Sequence, residues 1–457
     1  MSTLLIKHAD TILTMNSPAM RIEDGSIFVR DQVIEKVGKS TDLPQDADVV
    51  LDARGMVIMP GLINTHHHMY QTLTRALPGA QDAELFDWLR RLYPVWGELT
   101  DEANYVSSMI AFSELILTGG TTVADHLYLY PNDVVLDTCI RAARDIGVRF
   151  HPTRGSMSLG VSKGGLPPDH VVQDEETILK DSQRLIETYH DPERYSMLRM
   201  SLAPCSPFSV TADAMRESAR LARSYKNVML HTHVAETKDE EVFTLETFGV
   251  RPVAYMESLG WVGADVWWAH CVWLDDAEIK MMAETGTGVA HCPSSNMRLG
   301  SGIAPIREML DAGVKVGLAV DGAASNDRSS LLDEARQALL LQRVQKGASA
   351  LTVIEALQIG TKGSASVLGR DDLGVLAEGM AADIIGFRTD RLEFSGGAVH
   401  DPVAALILCP SYTVDFSVIN GELVVVDGKI KGVDLERLIA RHNELARAMA
   451  AKHPYEG

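Results

Sequence analysis

Histidines and carboxylates recur in this chain where short apolar runs end. The segment Asn64-Thr65-His66-His67-His68 closes one such run. Residues two apart in an extended chain project to the same side, so His66 and His68 can share one ion while His67 points away. Further along, Leu230-His231-Thr232-His233-Val234-Ala235-Glu236 repeats the arrangement, Trp268-Ala269-His270-Cys271 adds an imidazole, and Val320-Asp321-Gly322 adds a carboxylate. Neutral imidazole and carboxylate are ligands that Zn²⁺ and Fe²⁺ accept, and a catalytic site leaves one position for water. A single histidine pair is as easily a packed or solvated pair; four such segments together point to a metal centre. His231 and His233 share a strand face, with His231 about 6.6 Å deeper at the usual rise per residue. His233 is nearer the rim and precedes Glu236 by three residues, which favours it as the ligand and leaves His231 as a layer-filling or supporting histidine.

The elements that must carry these residues alternate. Candidate strands are Val57–Asn64, Thr121–Asp125, Arg149–Thr153, Met197–Ala203, Val228–His233, Val266–His270, Gly288–His291 and Lys315–Ala319. Helical patterns lie between them, including Asp133–Ile146, Thr211–Tyr225, Asp275–Thr285 and Ala304–Ala312. Asp275 and Glu278 have the spacing of a capping box. Eight strands alternating with helices predict an α/β protein built on a (β/α)8 TIM-type barrel, whose active site forms at the carboxyl ends of the strands. The polar segments above fall there.

Both chain ends read as β. Leu4–Lys7, Ile12–Met15, Ser26–Arg30, Val33–Val37, Val49–Leu51 and Val57–Met59 occupy the start. Asp383–Phe387, Val414–Ile419 and Leu423–Val426 occupy the other end, with Asn420-Gly421 as a hairpin turn. Neither end alone makes a good core, so the two are expected to join into one small β-sandwich domain. The expected division is 1–58 and 376–457 for that domain, with a terminal helix over Leu435–Ala450, and 59–375 for the barrel.

Length and composition bound the rest. At 457 residues the chain exceeds the roughly 100–200 residues of a usual domain, although barrels run larger. Lys and Arg number 42 against 62 Asp and Glu, a net charge of −20. That balance argues against nucleic acid or an anionic membrane as partner and leaves a small molecule. No run of roughly 18 apolar residues marks a membrane span, and the opening residues lack the pattern of a secretion signal. The five cysteines never form Cys-x-x-Cys. Reduced thiols in a cytoplasmic enzyme are the expectation.

Met59-Pro-Gly-Leu-Ile-Asn-Thr-His-His-His, His231-Thr-His-Val-Ala-Glu-Thr, Ala269-His-Cys, Leu318-Ala-Val-Asp-Gly, Pro293-Ser-Ser-Asn-Met-Arg-Leu-Gly-Ser-Gly and Gly379-Met-Ala-Ala-Asp383 together resemble the amidohydrolase superfamily. Within it they resemble the branch of cytosine, guanine and S-adenosylhomocysteine deaminases and chlorohydrolases. The similarity spans essentially the whole chain and looks most like the bacterial 8-oxoguanine deaminases, with hydroxyatrazine-type aminohydrolases as near relatives. It implies one divalent ion, Zn²⁺ ahead of Fe²⁺, held by His66, His68, His233 and Asp321, with His270 and Glu236 beside them. Two-metal members usually bridge their ions with a modified lysine after the fourth strand, whereas here that strand ends Ser201-Leu-Ala-Pro-Cys205. It also implies a homo-oligomer.

The roles that follow are hydrolytic. The ion acidifies water, Asp321 orients it and takes its proton, Glu236 protonates a ring nitrogen, and His270 holds the attacking oxygen. Glu236 could otherwise be an ordinary acid opening a helix. Gln71 is the candidate reader of a lactam edge. Cys205, where relatives often carry histidine, leans toward a free base over a nucleoside. Arg154, Trp88 and His126 are further candidates whose plainer reading is core, rim and structural histidine. The expected reaction is 8-oxoguanine to urate and ammonia. Guanine, isoxanthopterin, a hydroxylated triazine or an S-adenosylhomocysteine-type nucleoside are the alternative substrates. A non-catalytic, dihydropyrimidinase-like assembly protein is the alternative of a different class, and the intact set of candidate ligands argues against it.

Overall fold

The computed structural model describes residues 2–16, 21–409 and 413–455. Eight parallel strands form its centre: β1 Leu62–Asn64, β2 Gly120–Leu127, β3 Arg149–Ser156, β4 Ser201–Pro204, β5 Met229–Val234, β6 Val266–His270, β7 Gly288–His291 and β8 Val316–Leu318. Each pairs with its sequence neighbour, and the last returns to the first where Thr65 N–H donates to the Leu318 carbonyl at 3.0 Å. Helices alternate with the strands, so the architecture is the expected (β/α)8 barrel. Every residue of these strands is buried, which is why they read as continuous apolar runs and not as alternating ones.

One expected strand divides. Val57–Asn64 is not a single barrel strand: Met56–Pro60 belongs to the other sheet, and only Leu62–Asn64 enters the barrel. Gly61 is the crossing point, because a Cβ there would lie 2.0 Å from Thr121 Oγ1. Pro60 adds no ladder donor, which suits a change of partner. At the start of the chain the reverse happens. Leu4–Lys7 and the first two residues of Ile12–Met15 fall into one strand, Thr3–Leu13, whose register shifts between Ile6 and Ala9.

The two ends of the chain build one nine-stranded sheet. Met56–Pro60 pairs antiparallel with Ile384–Arg388 and parallel with Thr3–Leu13. Its hydrophobic cluster draws on both ends, from Ile6, Ile12 and Ile27 to Ile384, Phe416 and Val418. Asn420 and Gly421 both have positive φ, 52° and 84°, as a two-residue hairpin turn requires.

Three helices bear on the site. Helix α1 (Leu85–Trp96) follows β1, α2 (Lys238–Phe248) follows β5, and α3 (Pro293–Arg298) follows β7. The expected capping box is present, with Asp275 and Glu278 bonding each other's backbone at the start of Asp276–Thr285. All five cysteines are free. No helix among the described residues is long and apolar enough to cross a membrane.

Candidate active site and metal centre

The carboxyl ends of β1, β5, β6 and β8 bring the sequence-selected side chains to one buried place. His66 Nε2 lies 3.2 Å from Asp321 Oδ1, and His68 Nε2 lies 3.4 Å from the same oxygen. His68 Nε2 and His233 Nε2 are 3.2 Å apart.

Hydrogen bonds on the far side of each ring fix what it presents. His68 Nδ1–H donates to the His126 carbonyl at 2.7 Å, and His233 Nδ1–H to the Cys205 carbonyl at 2.6 Å. His231 Nδ1–H donates to the Trp267 carbonyl at 2.9 Å, so its Nε2 is the acceptor for His66 Nδ1–H at 2.7 Å. His66, His68 and His233 therefore each turn an unprotonated Nε2 inward. Burial favours the neutral form, pushing His68 down and His233 down to about 3. His231 is thus the partner that orients His66, a role outer residues commonly take for metal-bound histidines.

These residues fit a metal ion. His66 Nε2 is buried with no hydrogen-bond partner, and the His68 and His233 lone pairs face each other at a distance where only a cation or proton makes the approach favourable. Two overlapping groups have ligand atoms within 4.8 Å of one another: His66, His68, His126 and His233, and His66, His233, His270 and Asp321. His126 spends its Nε2–H on the Ala203 carbonyl at 2.8 Å, which leaves Nδ1 as its unprotonated nitrogen, buried without a partner. Its ring also stacks on that of His233, at 5.0 Å and 23°.

Asp321 sits at φ 61°. Gly322 N–H donates to its Oδ1 at 2.7 Å and Ser325 Oγ–H to its Oδ2 at 3.3 Å. His270 Nδ1–H donates to Asn296 Oδ1 at 2.9 Å, which turns its Nε2 toward Glu236 Oε2 at 3.6 Å and Asp321 Oδ2 at 3.8 Å. Burial pushes the Glu236 carboxyl up to about 7, against the pull of His270. Such a group holds and releases a proton near neutrality, which general acid–base chemistry needs.

A cavity opens on these groups, and His68, His233, Glu236, His270 and Asp321 all line it. Gln71 lines it. Its Oε1 accepts from Ala324 N–H at 3.4 Å while its Nε2 is buried without a partner. Gly322 makes room for that amide, because a Cβ there would lie 1.8 Å from Oε1. Cys205 also lines the cavity, with burial pushing its thiol up to about 12. Its backbone carbonyl is what orients His233.

Trp88 lines the cavity from α1, its indole N–H donating to the Ala324 carbonyl at 3.2 Å. Arg154 is not part of the lining. It bonds Asp181, Gln173 and the Gly155 carbonyl and stacks on Tyr130.

Sequence reasoning missed Tyr93, Tyr128, Phe208 and Ser325 in the lining. The Pro293-Ser-Ser-Asn segment carries no role on sequence grounds alone. Ser295 bonds Ser325 at 2.9 Å and Asn296 bonds His270, so this motif braces two functional residues from α3. Only the proximity of Tyr128 to His126 in sequence could have flagged it.

Comparisons with known proteins agree with this geometry. The amidohydrolase family model matches residues 57–431. The chain is 47% identical to the 8-oxoguanine deaminase of Pseudomonas aeruginosa, across 99% of this chain and 100% of that one. It is 38% identical to a hydroxydechloroatrazine ethylaminohydrolase of Pseudomonas sp., across 98% and 94%. The crystal structure of a zinc-complexed atrazine chlorohydrolase from Arthrobacter aurescens superposes with a TM-score of 0.92 at 35% identity, covering 97% of this chain and 100% of that one.

Proposed function

We propose that this chain, which belongs to the amidohydrolase family, hydrolytically deaminates 8-oxoguanine to urate and ammonia. Glu236 carries the deaminase reading: a buried carboxyl beside a cluster of inward-facing imidazoles, lining the cavity, and pushed by burial up to about 7. The 47% identity to an 8-oxoguanine deaminase over the full chain supports the choice of substrate.

His66, His68, His233 and Asp321 would hold the ion, since their donor atoms converge and their far sides are already bonded. The zinc in the chlorohydrolase relative favours Zn²⁺. When bound, such an ion makes water acidic enough to be a nucleophile at neutral pH. Glu236 donates its proton to the ring nitrogen next to the amine-bearing carbon, which loses its aromatic resistance as the water oxygen adds there. Asp321 takes the proton that the water gives up and passes it to the amine nitrogen. The carbon–nitrogen bond then breaks and ammonia leaves as the carbonyl forms, the remaining hydroxyl proton returning to the Glu236 carboxylate. His270, fixed by Asn296, holds the attacking oxygen. Gln71 offers an unpaired amide N–H₂ to an acceptor on the heterocycle's edge.

Ammonia release from a panel of 8-oxoguanine, guanine, isoxanthopterin and hydroxylated triazines, with the 8-oxoguanine ribonucleoside alongside, tests the substrate. The free base 8-oxoguanine should lead by orders of magnitude in kcat/KM, because a polar site rejects analogues that leave its groups unpaired. Higher activity on a pteridine or triazine, or equal turnover of base and nucleoside, would refute it.

A further inference from the structure

Glu240 is a fully buried carboxylate that the mechanism above does not use. It occupies the third position of α2, whose N-cap, Thr237, makes no side-chain cap bond. In a capping box the acid at this position reaches back to the N-cap N–H. Glu240 reaches further. Its Oε1 accepts from Ala235 N–H and its Oε2 from Glu236 N–H, both at 2.9 Å.

The other side of the same turn is clamped too: the Ala235 carbonyl accepts from Val272 N–H at 2.9 Å and from Trp273 N–H at 3.0 Å. Ala235 has φ 54°, a left-handed conformation that costs a non-glycine residue energy and persists only where its surroundings impose it. No lysine or arginine pairs with Glu240 among the described residues. Burying a carboxylate without a cation is expensive, and a neutral side chain of the same shape would serve packing better. The two consecutive amide bonds at the foot of Glu236 are the compensation the structure shows.

We propose that Glu240 is a positioning residue for Glu236. It holds the Ala235–Glu236 turn so that the Glu236 carboxyl stays within reach of His270 and the cavity. The assignment rests on the role given to Glu236 in the proposed deamination, and it makes no contact with substrate.

The test is a double-mutant cycle of Glu236→Gln and Glu240→Gln in the metal-loaded enzyme, assayed on whichever panel member is turned over best. A carboxamide at 240 keeps the shape but can accept from only one of the two amides. Misplacing a catalytic group by about 1 Å can cost roughly 10²-fold, so Glu240→Gln alone should lower kcat by about that factor, with KM within about twofold and metal content unchanged. Glu240→Asp, which keeps the charge but withdraws it by one methylene, should lower kcat likewise. In the Glu236→Gln background neither change should cost anything further, because the group being positioned has already lost its proton. Equal losses in both backgrounds, an unaltered kcat, or variants that do not reach the native fold would each overturn the assignment. A Glu236→Gln enzyme with normal kcat would instead refute the catalytic role of Glu236 itself.

Discussion

The two ends of the barrel treat buried acids in opposite ways. At the amino ends of the strands, Arg149 grips Asp383 through two bonds of 3.0 and 2.9 Å, and Arg370 grips Asp372 through two of 2.8 Å. Arg149 also donates to the Tyr195 and Ser196 carbonyls, and Arg370 to that of Ser196. The Arg149 bonds to Asp383 tie the barrel to the sheet built from the chain ends, while the Arg370–Asp372 pair is local. Burial alone would push the Asp372 carboxyl up, yet the Arg370 guanidinium holds it well below the usual range. At the carboxyl ends, Glu236, Glu240 and Glu334 are equally buried, have no lysine or arginine partner among the described residues, and are each pushed by burial to about 7. A guanidinium locks a carboxylate in one charge state. Withholding it leaves a proton exchangeable near neutrality. One end is built to stay the same, and the other to change.

The largest effect should come from removing the charge that the rim is arranged around. His68→Ala deletes an inward-facing Nε2, and metal analysis should find most of the bound ion gone and turnover abolished. Full metal occupancy in that variant would break the proposed ligand set. Next, Glu236→Gln keeps size and hydrogen bonding but cannot transfer the proton. It should lower kcat by about 10²–10⁴-fold with metal retained, and a near-normal rate would mean that another group protonates the ring.

The opposite end should answer in stability and not in rate. Arg370→Leu leaves Asp372 buried without its cation, a change that typically costs about 3–5 kcal/mol. Denaturant unfolding should show that loss, while kcat of the protein still folded stays close to the parent value. A loss of kcat as large as that of Glu236→Gln, with stability intact, would erase the distinction between the two ends.

The sequence showed the rim far better than the base. Strand-end histidines carry a period-two spacing, and a carboxylate after an apolar strand stands out against its neighbours, so His66, His68, His233, His270 and Asp321 could be read directly. Arg149 and Asp383 are 234 residues apart, and nothing local to either announces a partner. Tertiary pairing of that kind is invisible to periodicity. The split at Gly61 was hidden for a related reason: both halves of Val57–Asn64 are buried and apolar, and only the close approach of Thr121 decides where one sheet ends. Glu240 escaped because its spacing is that of a solvated helix-start acid, the same reading that competes for Glu236. Burial separates the two cases, and burial is a property of the fold.

Glu334 offers the smallest and most specific test of the contrast, because it does not line the cavity. It accepts from Ser294 N–H at 3.1 Å and from the Asn326 amide at 2.9 Å, linking the start of α3 to the segment after Asp321. Its carboxyl is raised by burial from an ordinary 4.5 to about 7. Between those values the unfolded chain has released the proton and the folded chain keeps it. Folding then binds a proton, so stability falls as pH rises through that window and levels off above about 7. Each pKa unit is worth about 1.4 kcal/mol, so the full window is on the order of 3 kcal/mol. Glu334→Gln mimics the protonated acid at every pH. Its unfolding free energy should match the parent below about pH 4, exceed it increasingly toward about pH 7, and level off beyond. A margin that does not change with pH would show that Glu334 titrates as an exposed acid does, and would remove it from the group of rim carboxyls that hold their protons.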